Sequence, residues 1–187
     1  IILIDKNPIY SNATNISISN SGMFLSISFS TGFVNVYRII YESKEPHLIL
    51  KLSSYYNNIP CYLSTIFSCD FICCSIFTNN HLIIWNYSTN LLHHDINLDI
   101  NVQGIFCDDF TGLITIYSTT RIIQYSINGE KLHDINTDYL ITSCKLFSIS
   151  ATFDGRFIIT TSTTGHLLIY QTDSHTYQFK EIKKKLI

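Results

Sequence analysis

The sequence predicts an all-β fold, a β-propeller of about four four-stranded blades. An aromatic closes a short β-branched run four times, at Tyr37, Trp85, Tyr125 and Tyr170, with intervals of 48, 40 and 45 residues. The runs read FVNVY (33–37), HLIIW (81–85), RIIQY (121–125) and HLLIY (166–170). Five residues before each aromatic stands a residue suited to a tight turn: Gly32, Asn80, Thr120 or Gly165. A repeat of about 40–45 residues with four short strands per period is the pattern of a propeller.

Taken in order, IILI (1–4) and the Pro8 segment read as the end of a preceding blade or a linker, spanning 1–12. The first unit (13–55) has strands at ISIS (16–19), MFLSIS (23–28), FVNVYRI (33–39) and HLILKL (47–52), with a turn at Asn20-Ser21-Gly22. The second (56–98) has CYLSTIF (61–67), FICCSI (71–76), HLIIWNY (81–87) and LLHHDI (91–96). The third (99–137) has VQGIFC (102–107), the turn Asp108–Gly112, LITIYS (113–118), RIIQYSI (121–127), the turn Asn128-Gly129 and KLHDI (131–135). The fourth (138–180) has TSCKLFSIS (142–150), the turn Asp154-Gly155, FIITTS (157–162), HLLIYQ (166–171) and YQFK (177–180). Residues 181–187 read as a basic tail. Asn-Gly and Asp-Gly tolerate the positive φ of tight hairpins. LITIY and FIIT are apolar on both faces, as expected of strands packed between neighbouring blades. No segment has a sustained 3.6-residue period, so helix content should be low.

The 187 residues are 46% hydrophobic and 14% charged, enough for a packed core. A net charge of -2 leaves no broad footprint for nucleic acid, and none is expected as a partner. The one charge run, Lys180 and Lys183–Lys185, reads as a solvated tail. No apolar stretch reaches the roughly 18 residues that span a bilayer, and no signal-peptide pattern opens the chain, so a cytoplasmic location is expected. The chain starts at Ile1 and not Met, which suggests a fragment. The six cysteines (Cys61, Cys69, Cys73, Cys74, Cys107, Cys144) have no zinc spacing and read as buried apolar side chains in a reducing compartment.

No residue pattern points to catalysis, to a metal or to a cofactor. His93 and His94 are the one histidine pair, and strand neighbours are expected to point opposite ways. Asp108-Asp109 could be paired carboxylates, but a hairpin turn explains them better. No nucleophile elbow or Gly-rich phosphate loop occurs. The expected functional surface is the face built by loops between units and between second and third strands, holding Tyr55, Tyr56, Phe77, Thr78 and Tyr139 as partner-binding anchors.

NHLIIWN (80–86) resembles the third strand of a WD repeat, with Trp85 in the Trp position and Asn86 where that family prefers Asp. FDGRFIITTSTTGHLLIYQ (153–171) is the next best copy. No Gly-His dipeptide precedes any unit, and Thr31, Asn79, Thr119 and Thr164 replace the expected turn Asp, so the family's buried hydrogen-bonding tetrad is degenerate. Apolar stacking must compensate, at roughly 1.5–3 kcal/mol per fully buried Leu or Ile. DDFTGLITIYSTTRIIQYSINGEKL (108–132) is similar to the final WD repeats of BEACH-domain proteins, through Thr111, Gly112, Tyr125, Ser126, Ile127, Asn128 and Gly129. The resemblance covers about 100 residues, roughly 70–171. It makes Tyr37, Trp85, Tyr125, Tyr170, Gly32, Gly112, Gly129, Asp154, Gly155 and Gly165 the repeat-defining positions.

The resemblance implies part of a seven-bladed propeller in a large cytoplasmic scaffold of vesicle traffic. Its partners would be other proteins or upstream domains of the same polypeptide, with peripheral membrane association through the parent protein. A WD-repeat subunit of a ciliary or RNA-processing assembly is the alternative, and a propeller hydrolase a remote one. Four units fall short of about six to eight blades, so exposed blade edges and poor solubility are expected of this chain alone.

Overall fold

In the computed structural model, the described residues are 12–41, 47–69, 72–137, 145–152, 156–172 and 179–186. They contain sixteen strands and no helix. Sheet I comprises β1 (Ala13–Ile18), β2 (Phe24–Phe29), β3 (Phe33–Ile40) and β4 (His47–Tyr55). Sheet II comprises β5 (Cys61–Ile66), β6 (Ile72–Phe77), β7 (His81–Asn86) and β8 (Leu91–Asn97). Sheet III comprises β9 (Gly104–Asp108), β10 (Leu113–Tyr117), β11 (Arg121–Ser126) and β12 (Lys131–Asn136). Sheet IV comprises β13 (Leu146–Ala151), β14 (Phe157–Ser162), β15 (His166–Thr172) and β16 (Phe179–Leu186). In every sheet the spatial order is the chain order and all pairs are antiparallel, so the fold is four successive meanders.

The four sheets share a detail that local sequence does not display. One residue of the fourth strand is left over opposite the step into the closing aromatic. It is Lys51 opposite Val36/Tyr37, His93 opposite Ile84/Trp85, Leu132 opposite Gln124/Tyr125 and Ile182 opposite Ile169/Tyr170. A bulge at one register position, built from a cation, an imidazole and two aliphatics, is set by the shape of the repeat and not by side-chain chemistry. A second recurrence closes the fourth strand. The carbonyls of Gly32, Asn80 and Thr120 accept the amides of Tyr56, Leu98 and Thr137 at 3.2, 2.8 and 2.8 Å.

The turn residues reach this geometry in two ways. Gly32 and Asn80 have φ of 87° and 62°, and Gly165 has 77°. A Cβ on Gly32 would come within 2.7 Å of the Ile59 carbonyl oxygen, so space as well as φ requires glycine there. Sheet III uses threonine instead: the Ser118 hydroxyl accepts the amides of Thr120 (3.3 Å) and Arg121 (3.1 Å), an ST-type turn.

The chain divides into two compact units, residues 1–98 and 99–187. In the first, β5 lies against β1 and β2. Val34, Val36 and Leu52 of sheet I pack with Cys61, Ile66, Cys73, Phe77, Ile83, Trp85 and Tyr87 of sheet II. Polar bonds pin this apolar contact: Thr14 Oγ1 donates to the Cys61 carbonyl (2.5 Å), the Ser64 amide to Asn15 Oδ1 (3.1 Å), and the Ser26 and Ser64 hydroxyls meet at 3.1 Å. The second unit repeats the plan. Ile122 of sheet III packs with Leu146, Ile158, Leu168 and Tyr170 of sheet IV, under Phe106, Tyr117 and Ile135. Val34 and Ile122 hold the same place, three residues before the closing aromatic, and each belongs to one cluster with the closing aromatic of the next sheet, Trp85 or Tyr170.

Three expectations are corrected. β14 is not sealed on both faces: Ile158, Thr160 and Ser162 are buried, whereas Phe157, Ile159 and Thr161 are half-buried. A local pattern cannot reveal whether a further sheet covers the second face. The lysines expected in a tail lie on a strand, since β16 runs to Leu186 and pairs with β15. Its position at the end of the sheet order needs only main-chain pairing on one side, and lysine is tolerated on such strands. His93 and His94 do not diverge. The bulge turns them together, with ring centroids 5.0 Å apart and planes at 85°. Asp154, Gly155 and residues 1–11 lie outside the described residues.

Candidate interaction surface

Buried polar side chains pair inside three of the sheets. Trp85 Nε1 donates to Ser75 Oγ across β6 and β7 at 3.2 Å. Sheet III substitutes Gln124 Nε2 donating to Thr115 Oγ1 at 2.9 Å, and sheet I substitutes Asn35 Nδ2 donating to the Tyr37 hydroxyl at 3.0 Å. Three of the sheets thus bury a different polar pair each. Asp108 is taken up by its turn. Its Oδ1 accepts the Phe110 amide (2.9 Å), its Oδ2 the Thr111 hydroxyl (2.5 Å) and its carbonyl the Gly112 amide (2.9 Å).

Four of the five expected anchors fall in the first unit. Tyr55 is the last residue of β4, not a loop residue; it is 42% exposed, with its ring 4.8 Å from Phe33. Tyr56 is half-buried with its ring 4.8 Å from Phe77. Phe77 ends β6 and is 0% exposed, so it supports Tyr56 from beneath and offers no surface to a partner. It is buried because the face of sheet II that carries it is covered by sheet I. Thr78 is exposed in the following turn, its amide donating to the Pro60 carbonyl at 3.0 Å. Tyr139 lies outside the described residues.

Around Tyr56 the structure adds two residues that sequence reasoning missed. Its hydroxyl donates to Asp95 Oδ2 at 2.7 Å and lies 3.3 Å from His81 Nδ1, which is itself 2.5 Å from Asp95 Oδ1. Burial, then the Asp95 hydrogen bond and the Asp95 charge, push the Tyr56 hydroxyl up to about 12. One signal was available: His81 and Asp95 face each other near the open end of the β7–β8 pair, where His81 pairs with Asn97 and Ile83 with Asp95. The cluster fixes one aromatic ring on a rigid base, a suitable geometry for holding a partner's side chain.

Three of the thiols are part of the core, and Cys69 corrects the expectation that all six are buried. Cys61, Cys73 and Cys74 are buried, and burial pushes the Cys61 thiol up to about 12 and raises that of Cys73 as well. Cys69 is exposed and Cys107 half-buried; Cys144 lies outside the described residues. Among the described residues, no three His, Cys, Asp or Glu side chains gather as metal ligands. No helix there is long and apolar enough to cross a membrane. No protein-family model matches the chain, and no curated protein matches it either.

Proposed function

We propose that the chain forms blades of a WD-repeat-type β-propeller and acts as a non-catalytic scaffold that docks other proteins, as in the C-terminal propeller of a BEACH-type protein of vesicle traffic. The observation that carries the reading is the fourfold recurrence of one meander, with a bulge opposite each closing aromatic. Repeats of this kind stack through a common interface, here the cluster that holds Val34 and Trp85 and the one that holds Ile122 and Tyr170. They present loops and strand ends on a rigid base. Affinity would come from a few aromatic anchors, with Tyr56 the best placed because Phe77, His81 and Asp95 hold its ring.

The BEACH-type reading rests on the resemblance over 108–132 and is the finer part of the proposal. Proximity labelling from the full-length protein in its own cells tests it. Coat, tether and membrane-traffic proteins should dominate the labelled set. A set dominated by ciliary or RNA-processing proteins would replace this reading with the alternative assembly. Turnover of a glycoside substrate by the purified chain would overturn the non-catalytic reading.

A further inference from the structure

We propose that the groove between sheets I and II is an anion site that takes a phosphorylated side chain of a partner protein. The proposal rests on the scaffold reading above. The groove is a cleft of about 230 Å³ lined by Phe24, Arg38, Lys51, Tyr87 and Ser88, all within the first unit. That volume is below the range of drug-sized pockets, but it suits the end of one side chain.

Charge sets the ligand class. Arg38 and Lys51 are both exposed, and among the described residues no carboxylate pairs with either. Two cations beside one small cleft match a phosphate, which carries about −1.5 to −2 at neutral pH, better than a single carboxylate. Arg38 supplies a planar fork for two phosphate oxygens, and Lys51 a point charge. The chain as a whole is acidic, with net charge -2, so this positive spot is local.

The repeat itself does not call for these cations. Arg38 follows the closing aromatic, where the other sheets have Asn86, Ser126 and Gln171. Lys51 is the bulge residue, where the others have His93, Leu132 and Ile182. A bulge re-aims the side chain it carries, and sheet I alone spends that position on a cation. The cleft also has an aromatic lining, with the Phe24 and Tyr87 rings 5.2 Å apart at 47°. Tyr87 is held by its hydroxyl, which donates to the Phe67 carbonyl at 3.4 Å. Ser88 also lines the cleft, and its amide is tied to Asn86 Oδ1 at 3.0 Å.

The test is an NMR titration of the purified 1–187 chain with four probes: a short neutral phosphoserine peptide, its phosphotyrosine counterpart, the unphosphorylated peptide and inorganic phosphate. One phosphopeptide should shift the amides around Phe24, Tyr87 and Ser88 and bind more weakly as salt rises. The unphosphorylated peptide should leave them unmoved. Preference for phosphotyrosine would assign the aromatic wall to the ligand ring; preference for phosphoserine would restrict the site to the phosphate. Arg38→Gln and Lys51→Gln should each weaken binding roughly tenfold. Both residues are exposed, so the fold should survive, and the undisturbed core amides of each variant verify this. Equal phosphopeptide binding by wild type and the double variant would overturn the proposal, as would the absence of any phosphopeptide shift, or shifts with inorganic phosphate alone. Traffic proteins in the proximity-labelled set combined with a silent titration would remove the anion site and leave the scaffold reading standing.

Discussion

Sheets II and IV have one topology and one register, yet differ in how many faces they bury. Every residue of β6, Ile72–Phe77, is buried. In β14 burial alternates, with Ile158, Thr160 and Ser162 covered and Phe157, Ile159 and Thr161 half-open. The third strands agree: Leu82, Ile83, Ile84 and Trp85 are all buried, whereas Leu167 and Ile169 are half-buried beside a buried Leu168 and Tyr170. Sheet IV shows a repeat with only one of its faces fully covered. In this architecture, stability is a property of the interface between sheets more than of any single sheet.

The largest test of that contrast is a pair of truncations at equivalent positions of the two sheets. Ile84→Ala removes a side chain that is 0% exposed, and should cost about 2–5 kcal/mol. Ile169→Ala, one residue before its own closing aromatic, should cost less than about 1.5 kcal/mol. Urea midpoints of the two variants measure the difference, and equal losses would break the comparison. Turn positions give a second, smaller contrast. Gly32→Ala meets the Ile59 carbonyl as well as an unfavourable φ and should cost about 1–3 kcal/mol. Gly112→Ala has φ of 70° with open space around it and should cost about 1 kcal/mol. Thermal midpoints rank them.

Much of the fold was legible because the repeat is written in turns and apolar runs. The intervals between Tyr37, Trp85, Tyr125 and Tyr170 place the third strands, and the turn residues before them place the hairpins. The bulge was not legible, since Lys51, His93, Leu132 and Ile182 have no property in common. For the same reason the contact between His93 and His94 could not be foreseen. FIIT and LITIY look alike as strings, but Leu113–Ile116 are all buried and Ile159 is not. Of the expected anchors, Phe77 failed through blindness to neighbours. Tyr56 stands out once His81 and Asp95, distant in sequence, are placed against it.

Thiol reactivity sharpens the account of sheet II. Cys73 and Cys74 lie at its sealed centre and Cys61 at its start, so a maleimide probe with mass-spectrometric readout should label Cys69 in the native chain and these three only after unfolding. Rapid native labelling of Cys73 would contradict its burial.

The smallest effect lies on sheet III. Arg121 bonds both Asp99 and Asp134, and Lys131 bonds Asp134 as well, which holds the Asp134 carboxyl below its ordinary value of 3.8. A carboxylate depressed in the folded state adds stability above its unfolded pKa, and that contribution is lost as pH falls through the lower folded value. The pair is partly solvated, so the contribution is about 1 kcal/mol or less. Asp134→Asn should therefore lower the thermal midpoint slightly at pH 7 and flatten its fall below about pH 4. Identical acid profiles would show that the network contributes nothing.

The proposal that reaches furthest is that this chain forms propeller blades of a larger scaffold. Reading the transcript upstream of Ile1 tests it most directly. The account predicts further four-strand repeats, each with a closing aromatic about 40–45 residues from the next, and a BEACH domain before them. A nearby start codon with neither would contradict the BEACH-type scaffold.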